Sequence, residues 1–426
     1  MQKISLATKA GQVEGTCDPK FSGVLDAFVT NFEARGEVGA SCAINIEGKP
    51  VVDLWGGRKK PGGDAWDKDT LSIVFSSTKG GMSLCAHMLA DRGQLDLDAP
   101  VTNYWPEFGQ NGKETALVSM LLDHSVGVPH VREQLKPGAY YDWDYMVDRI
   151  AKEAPFWTPG TRNGYHMVSM SWTVGETVHR AAKKRMGKFF ADEIAKPLGL
   201  DFWIGLPEAQ EHRVAPIFPA MPTAEMMQSR FVQRAMTDQA SPAHLCMRDL
   251  MALDVNSREG HAAEIGAANG ITNARGLAGM YAPLANGGAL NGTRLVGQDT
   301  LTRMSRVAMA THQDGTLVIP SRFALGYMKT MDHRKLPPAD SAVWLASMTL
   351  LFTVHDMSAK PLLPISTTVP PAADPFNTSL ARDLAWTLND QAIFVKSGGD
   401  LAVQILGFFD VVVDRAAGDS GRLGQI

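Results

Sequence analysis

The segment from Gly39 to Gly57 restricts the fold more than any other. Gly39-Ala-Ser-Cys-Ala-Ile-Asn-Ile-Glu-Gly48 reads as a strand, Gly48-Lys49 as a turn, and Val51-Val-Asp-Leu-Trp55 as the returning strand, closed by Gly56-Gly57. Two strands joined by so tight a turn lie antiparallel, which excludes a βαβ crossover here. Upstream, Phe21, Leu25, Phe28, Val29 and Phe32 share one face of a helix predicted over 21–34. Downstream, a loop over Pro61–Asp69 leads into the short apolar segment Leu71-Ser-Ile-Val-Phe75. A helix is predicted over Gly80–Arg92, with Met82, Cys85, Ala86 and Leu89 at helical spacing and Gly93 as its stop.

From about Leu95 to Leu284 helical patterns dominate, as in Thr115–Leu122, Asp142–Ala154, Met167–Arg180 and Gly187–Ile194. Another helix is predicted from Asn273 to Asn286-Gly287. Strands at the start and helices in the middle predict an α+β fold: an antiparallel sheet flanked by helices, with a large, mainly helical insertion. The expected division is an α/β domain over 1–94 and 285–426 and a helical domain over 95–284. The tail after about residue 338 carries five prolines between Pro361 and Pro375, then two strand-like runs, Gln391–Val395 and Leu401–Val413.

The 426 residues are two or three domains' worth, at about 100–200 residues per domain. With 41 basic and 45 acidic residues the net charge is −4, and no basic stripe is present, which argues against a nucleic-acid partner. Cys17, Cys42, Cys85 and Cys246 are far apart and carry no zinc-ligand spacing. Residues 1–20 lack the apolar stretch of a secretory signal, and no run approaches the ~18 residues of a membrane span. The expectation is a cytoplasmic protein with reduced thiols and no membrane partner.

Ser76-Ser77-Thr78-Lys79 is the tetrad with most chemistry in it. Serine is a weak nucleophile until a base takes its proton, and a lysine three residues on along a helix lies on the same face. Burial at a helix N-terminus disfavours an ammonium, so Lys79 there can act as a base, while the helix start offers a backbone N–H to an oxyanion. S-x-x-K alone is weak: about one chance match is expected in a chain this long, and on the tetrad alone a capped helix start with a surface lysine is the better reading.

The context adds specificity. Val51-Val-Asp-Leu-Trp-Gly-Gly57, Val74-Phe-Ser-Ser-Thr-Lys-Gly80, Ala86-His-Met-Leu-Ala-Asp-Arg-Gly-Gln-Leu-Asp-Leu-Asp-Ala-Pro100, Tyr104-Trp-Pro-Glu-Phe108, Leu121-Leu-Asp-His-Ser-Val-Gly-Val-Pro129, Trp157-Thr-Pro-Gly160 and Ala268-Asn-Gly-Ile-Thr-Asn273 follow in order. Together they resemble the serine β-lactamase and penicillin-binding-protein superfamily, and within it the class C β-lactamase-related family VIII carboxylesterases. The resemblance covers roughly Val24 to Tyr327.

It implies a tyrosine about ninety residues past the serine, shortly after a Pro-Gly turn, and Tyr165 in Pro159-Gly-Thr-Arg-Asn-Gly-Tyr165-His166 fits. Tyr165 would share a proton with Lys79 and serve as acid and base. The segment reads Tyr165-His-Met167 rather than Y-x-N, and no S-D-N occurs, which argues against amide recognition of β-lactams. The family's third motif, on an edge strand, should follow Gly326-Tyr-Met328 closely. Lys329-Thr330-Met331 lacks its glycine, and the best candidate is the much later Lys396-Ser397-Gly398-Gly399, with Lys396 and Gly398 as substrate wall and second oxyanion donor beside the Ser76 N–H. From about Pro338 onward no resemblance remains.

The implied function is a serine carboxylesterase acting on small-molecule, short-chain esters through an acyl-enzyme on Ser76, with no metal or cofactor. β-Lactam, D-peptide or amide hydrolysis and acyl transfer use the same site, and a binding module without turnover is the rival of another class. Gly418-Asp-Ser-Gly421 mimics a trypsin-like nucleophile turn but lies too near the last residue to matter. His124 and His166 read as structural. G-x-S-x-G, P-loop, G-x-G-x-x-G and H-E-x-x-H patterns are absent.

Overall fold

The chain opens with a hairpin that has no counterpart among the sequence expectations. The computed structural model describes residues 1–218, 224–250, 253–329, 393–396 and 402–405. Strands β1 (Gln2–Thr8) and β2 (Gly11–Cys17) pair antiparallel with Thr8 opposite Gly11. Polar residues break the apolar alternation of β1, and only Ile4 is buried on it. β2 then pairs with β4, and this contact demands a glycine: Gly15 has φ +133°, and a Cβ there would lie 2.0 Å from the Asp53 carbonyl oxygen.

Helix α1 (Ser22–Ala34) precedes the predicted hairpin, β3 (Gly39–Ile46) and β4 (Lys49–Gly57). Ile46 lies opposite Lys49, so the turn residues are Glu47 and Gly48, not Gly48-Lys49. Both have positive φ, 51° and 74°, the conformation of a two-residue turn that matches strand twist. Along β3, Ala40, Cys42 and Ile44 face one side of the sheet with Val13, Val52 and Leu54, where Val24, Phe28 and Phe32 of α1 cover them. Ser41 and Ala43 face the other side, where Ser41 Oγ accepts the N–H of Ala274.

Among the described residues the main sheet has six strands in the order β1-β2-β4-β3-β11-β12. The expected sheet is antiparallel throughout; here β11 (Ile393–Lys396) runs parallel to β3, and β12 (Ala402–Ile405) returns antiparallel at the edge. β11 arrives from far along the chain rather than through a hairpin, so no tight turn dictates its direction. Two-stranded pairs complete the strands: β5 (Ser72–Ile73) with β6 (Ile271–Thr272), β7 (Ala289–Leu290) with β8 (Thr293–Arg294), and β9 (Met309–Thr311) with β10 (Ser321–Phe323).

Helix α2 (Thr78–Asp91) is buried from Thr78 to Leu89. Most of its residues are apolar or small, and the polar Lys79 and His87 are buried along with them. The helical portion runs through α3 (Val118–Leu122), α4 (Trp143–Lys152), α5 (Met170–Ala182), α6 (Met186–Phe190), α7 (Ala224–Gln228), α8 (Arg230–Thr237), α9 (Pro242–Leu250) and α10 (Arg258–Ala262). α11 (Ala274–Ala285) and α12 (Gln298–Ser305) follow. α2 packs on α5, α6 and α12, while α11 lies on β3, and Arg275 at its start pairs with Asp53 of β4 at 3.1 Å. All four cysteines are free and buried. Among the described residues no helix is long and apolar enough to cross a membrane. The expected irregular segment over 361–375 and the Gly418–Gly421 turn lie outside the described residues.

The seam between α1 and the sheet yields a stability test. Leu54 is fully buried there. Leu54→Ala is expected to destabilise the fold by about 2–5 kcal/mol, read as a lower denaturant midpoint. An unchanged midpoint would show that this core contributes little.

Candidate active site

The site begins where β5 meets β6. Val74 N–H donates to Gly270 O at 2.8 Å, extending that short ladder toward Ser76. The chain then turns through a 3₁₀ segment, Phe75–Ser77, into α2. Phe75 has φ +40°, strained for a bulky residue, immediately before the serine. The strain is held by Thr78, whose Oγ1 donates to Phe75 O at 2.5 Å and accepts the Gly270 N–H at 2.7 Å. A Cβ on Gly270 would lie 2.5 Å from that hydroxyl, so glycine lets the two segments meet.

Lys79 sits one helical turn past Ser76 and is fully buried. Its Nζ lies 3.1 Å from Ser76 Oγ, 2.6 Å from Met167 O and 2.8 Å from Ala267 O. All three partners are neutral oxygens, and burial holds the amine well below the usual lysine range. A neutral amine has two N–H donors and one lone pair. The two carbonyls can only accept, so they occupy both N–H groups, and the lone pair is left to the Ser76 hydroxyl. The turn that supplies Ala267 O is itself braced. Ala267 N–H donates to Ser171 Oγ at 3.0 Å, and the Asn269 side chain accepts from Ile265 N and donates to Gly260 O and Ala263 O.

Tyr165 is buried, with the Lys79 Nζ 4.8 Å from its ring centre. Its ring packs against His124 at 4.9 Å and lies nearly parallel to Phe323 at 6.1 Å. Its backbone N–H donates to Asp314 Oδ1 at 2.8 Å. His166 Nδ1–H donates to Gly164 O at 2.7 Å, and its Nε2 accepts from Val128 N at 3.1 Å. His124 Nδ1 accepts the His166 N–H. Burial pushes His166 down to about 3 and His124 well below its usual value, so both stay neutral and tie the Tyr165 loop to the 124–128 turn.

The structure therefore gathers Ser76, Lys79 and Tyr165. Lys396 is the last residue of β11, where its backbone pairs with Ala402. Among the described residues β12, not β11, forms the sheet edge, unlike the edge strand expected for a third motif. Gly398 lies outside the described residues. Sequence reasoning missed Thr78, Ser171, Asn269 and Asp314. Asn269 stands inside the quoted Ala268–Asn273 stretch, and Asp314-Gly315 has the composition of an Asx turn, but neither signal names its distant partner. Among the described residues no cluster of three His, Cys, Asp or Glu side chains could hold a metal ion.

The sequence pattern of the beta-lactamase family matches residues 25–345. The esterase/beta-lactamase LipL of Mycobacterium tuberculosis is 34% identical over 321 residues, covering 74% of each chain. The crystal structure of a family VIII carboxylesterase is similar at 37% identity and a TM-score of 0.68, over 75% of this chain and 84% of that one. A penicillin-binding protein homologue from Caulobacter crescentus is similar at 32% identity and a TM-score of 0.69, over 77% and 86%. The α+β fold and the resemblance read from the sequence both hold, and the chain belongs to the beta-lactamase family of hydrolases.

Proposed function

We propose that this hydrolase is a serine carboxylesterase that cleaves short-chain, small-molecule esters through an acyl-enzyme on Ser76. The observation that carries the reading is the buried Lys79 amine, with two carbonyls on its N–H groups and Ser76 Oγ at 3.1 Å. Ester cleavage is favoured by the similarity to a family VIII carboxylesterase and to an esterase/beta-lactamase.

In the first half-reaction Ser76 Oγ bonds to the ester carbonyl carbon while its proton passes to the Lys79 lone pair. The Ser76 N–H takes part of the charge on the carbonyl oxygen. As the C–O bond of the leaving alcohol breaks, Tyr165 donates its phenolic proton to that oxygen and takes up the proton held by Lys79. In the second half-reaction a water attacks the acyl carbon, its proton returning by the same groups to Ser76 Oγ as the carboxylic acid leaves.

β-Lactam hydrolysis is the second reading, because the Mycobacterium tuberculosis relative is named for both activities. Against it stands Met167, whose side chain cannot offer the amide of the Y-x-N asparagine and whose carbonyl is engaged by Lys79.

Ser76→Ala is expected to keep the fold and to abolish labelling by a serine-reactive phosphonate in intact-mass measurement; labelling that persists in the variant removes Ser76 as nucleophile. Tyr165→Phe keeps the ring packing but loses the hydroxyl, and kcat is expected to fall ~10²–10⁴-fold at little cost in stability. Near-normal turnover would leave Lys79 working alone. A chromogenic short-chain ester is expected to turn over with far higher kcat/KM than a chromogenic cephalosporin. The reverse order would make the enzyme a lactamase, and turnover of neither would make the chain a binding module.

A further inference from the structure

Asp314 is a carboxylate in the wrong place for an ordinary surface turn. It is 1% exposed, and every partner it has is neutral. Its Oδ1 accepts three backbone N–H groups, from Tyr165 at 2.8 Å and from Thr316 and Leu317 at 2.9 Å each. Its Oδ2 accepts from Ser321 Oγ at 2.8 Å and lies 3.4 Å from Asn163 Nδ2. Asn163 Nδ2 also donates to Ser321 Oγ at 2.8 Å, and the Asn163 backbone carbonyl accepts the Gly315 N–H at 3.0 Å.

Burying a carboxylate without a cation is costly, and a turn can be closed with neutral acceptors. What this carboxylate does that a neutral turn would not is gather donors from three separate stretches of chain: 163–165, 314–317 and 321. Two of them converge on one ring. Tyr165 carries the phenol, and Ser321 begins β10, whose Phe323 lies nearly parallel to that phenol ring with 9° between the planes. The main-chain root of Tyr165 and one wall of its ring pocket are thus referenced to the same two oxygen atoms. No hydrogen bond joins Asp314 to Ser76 or Lys79 within that set; its direct link to the site is the Tyr165 backbone and the strand that carries Phe323. With the Lys79 Nζ only 4.8 Å from the ring centre, a displacement of about 1 Å in the ring is enough to cost a large factor in rate.

We infer that Asp314 is a positioning residue for proton transfer: its buried carboxylate fixes the backbone of Tyr165 and the strand behind the Tyr165 ring, and so sets the phenol against Lys79. The inference rests on the reading of Tyr165 as the residue that moves protons, and it goes beyond it by assigning a role to a carboxylate that touches no substrate. Asp314→Asn retains an oxygen for the three backbone donors. Its amide nitrogen, however, now faces the Asn163 amide, two donors in opposition.

The test is a double-mutant cycle on kcat and KM for a chromogenic short-chain ester, with wild type, Asp314→Asn, Tyr165→Phe and the double variant, each checked for melting temperature. Asp314→Asn is expected to lower kcat about tenfold or more in the wild-type background, with KM within about twofold, and to lower it less than about twofold when Tyr165 is already Phe. Equal losses in both backgrounds, or wild-type kinetics in Asp314→Asn, would overturn the inference while leaving the role of Tyr165 intact. Near-normal turnover of Tyr165→Phe alone would remove that role, and the inference with it. If Asp314→Asn does not fold, Ser321→Ala carries the same cycle: it deletes one donor to Oδ2 and leaves Oδ1 in place. Its smaller loss is likewise expected to vanish in the Phe background, and a loss that persists there overturns the inference.

Discussion

A lysine amine with no access to water and no carboxylate among its hydrogen-bond partners is the constraint around which this molecule is arranged. Lys79 lies inside α2, and Met167 O and Ala267 O meet it from loops 88 and 188 residues further along the chain. An ammonium there would have lost its hydration for three neutral oxygens, so the neutral form is favoured. Each loop must therefore present a carbonyl rather than a charge, and each must be rigid. Ser171, Asn269 and Thr78 supply that rigidity on the 260–270 side, through hydrogen bonds to Ala267, Ile265 and Gly270. His124 and His166 do the same near Met167, as neutral rings engaged with the backbone.

The strained Phe75 belongs to the same arrangement. A positive φ at a bulky residue persists only where its surroundings over-determine it. Here the Thr78 hydroxyl pulls the Phe75 carbonyl from one side, while the β5–β6 pairing and the Val74–Gly270 bond fix the approach from the other. Ser76 is thus held at the junction of a strand and a helix, and its orientation depends on a segment almost two hundred residues away. A buried helix alone would not achieve this, because Ser76 lies in the 3₁₀ turn before α2 and only Lys79 lies on the helix itself.

Much of this organisation was legible before any coordinates. The 39–57 hairpin, the helix after Ser76 and the helix from Asn273 were readable because each obeys a local period or carries a glycine stop. The spacing of Ser76 and Lys79 was readable for the same reason. The β1–β2 hairpin was not, since only Ile4 on β1 is buried and no alternation marks it. The turn at Glu47-Gly48 was displaced by one residue, because Glu at a positive φ is an exception that no composition rule signals. The parallel placement of β11 was also invisible: strand direction without a tight turn is a property of the whole sheet.

Sequence by itself determined much of the element pattern and the chemical inventory: the 39–57 hairpin, the longer helices, and a serine and a lysine three residues apart, with Tyr165 added as an expectation by the family resemblance. These follow from interactions within a few residues, or from patterns that recur among relatives. Only the tertiary structure decided the states of those groups. That Lys79 meets two carbonyls and no carboxylate, that the histidines are neutral struts, and that Asp314 accepts the Tyr165 N–H all depend on loops brought together across the fold. Burial and hydrogen-bond partners set a side chain's protonation and aim, and both are sums over neighbours that a linear order of residues does not contain.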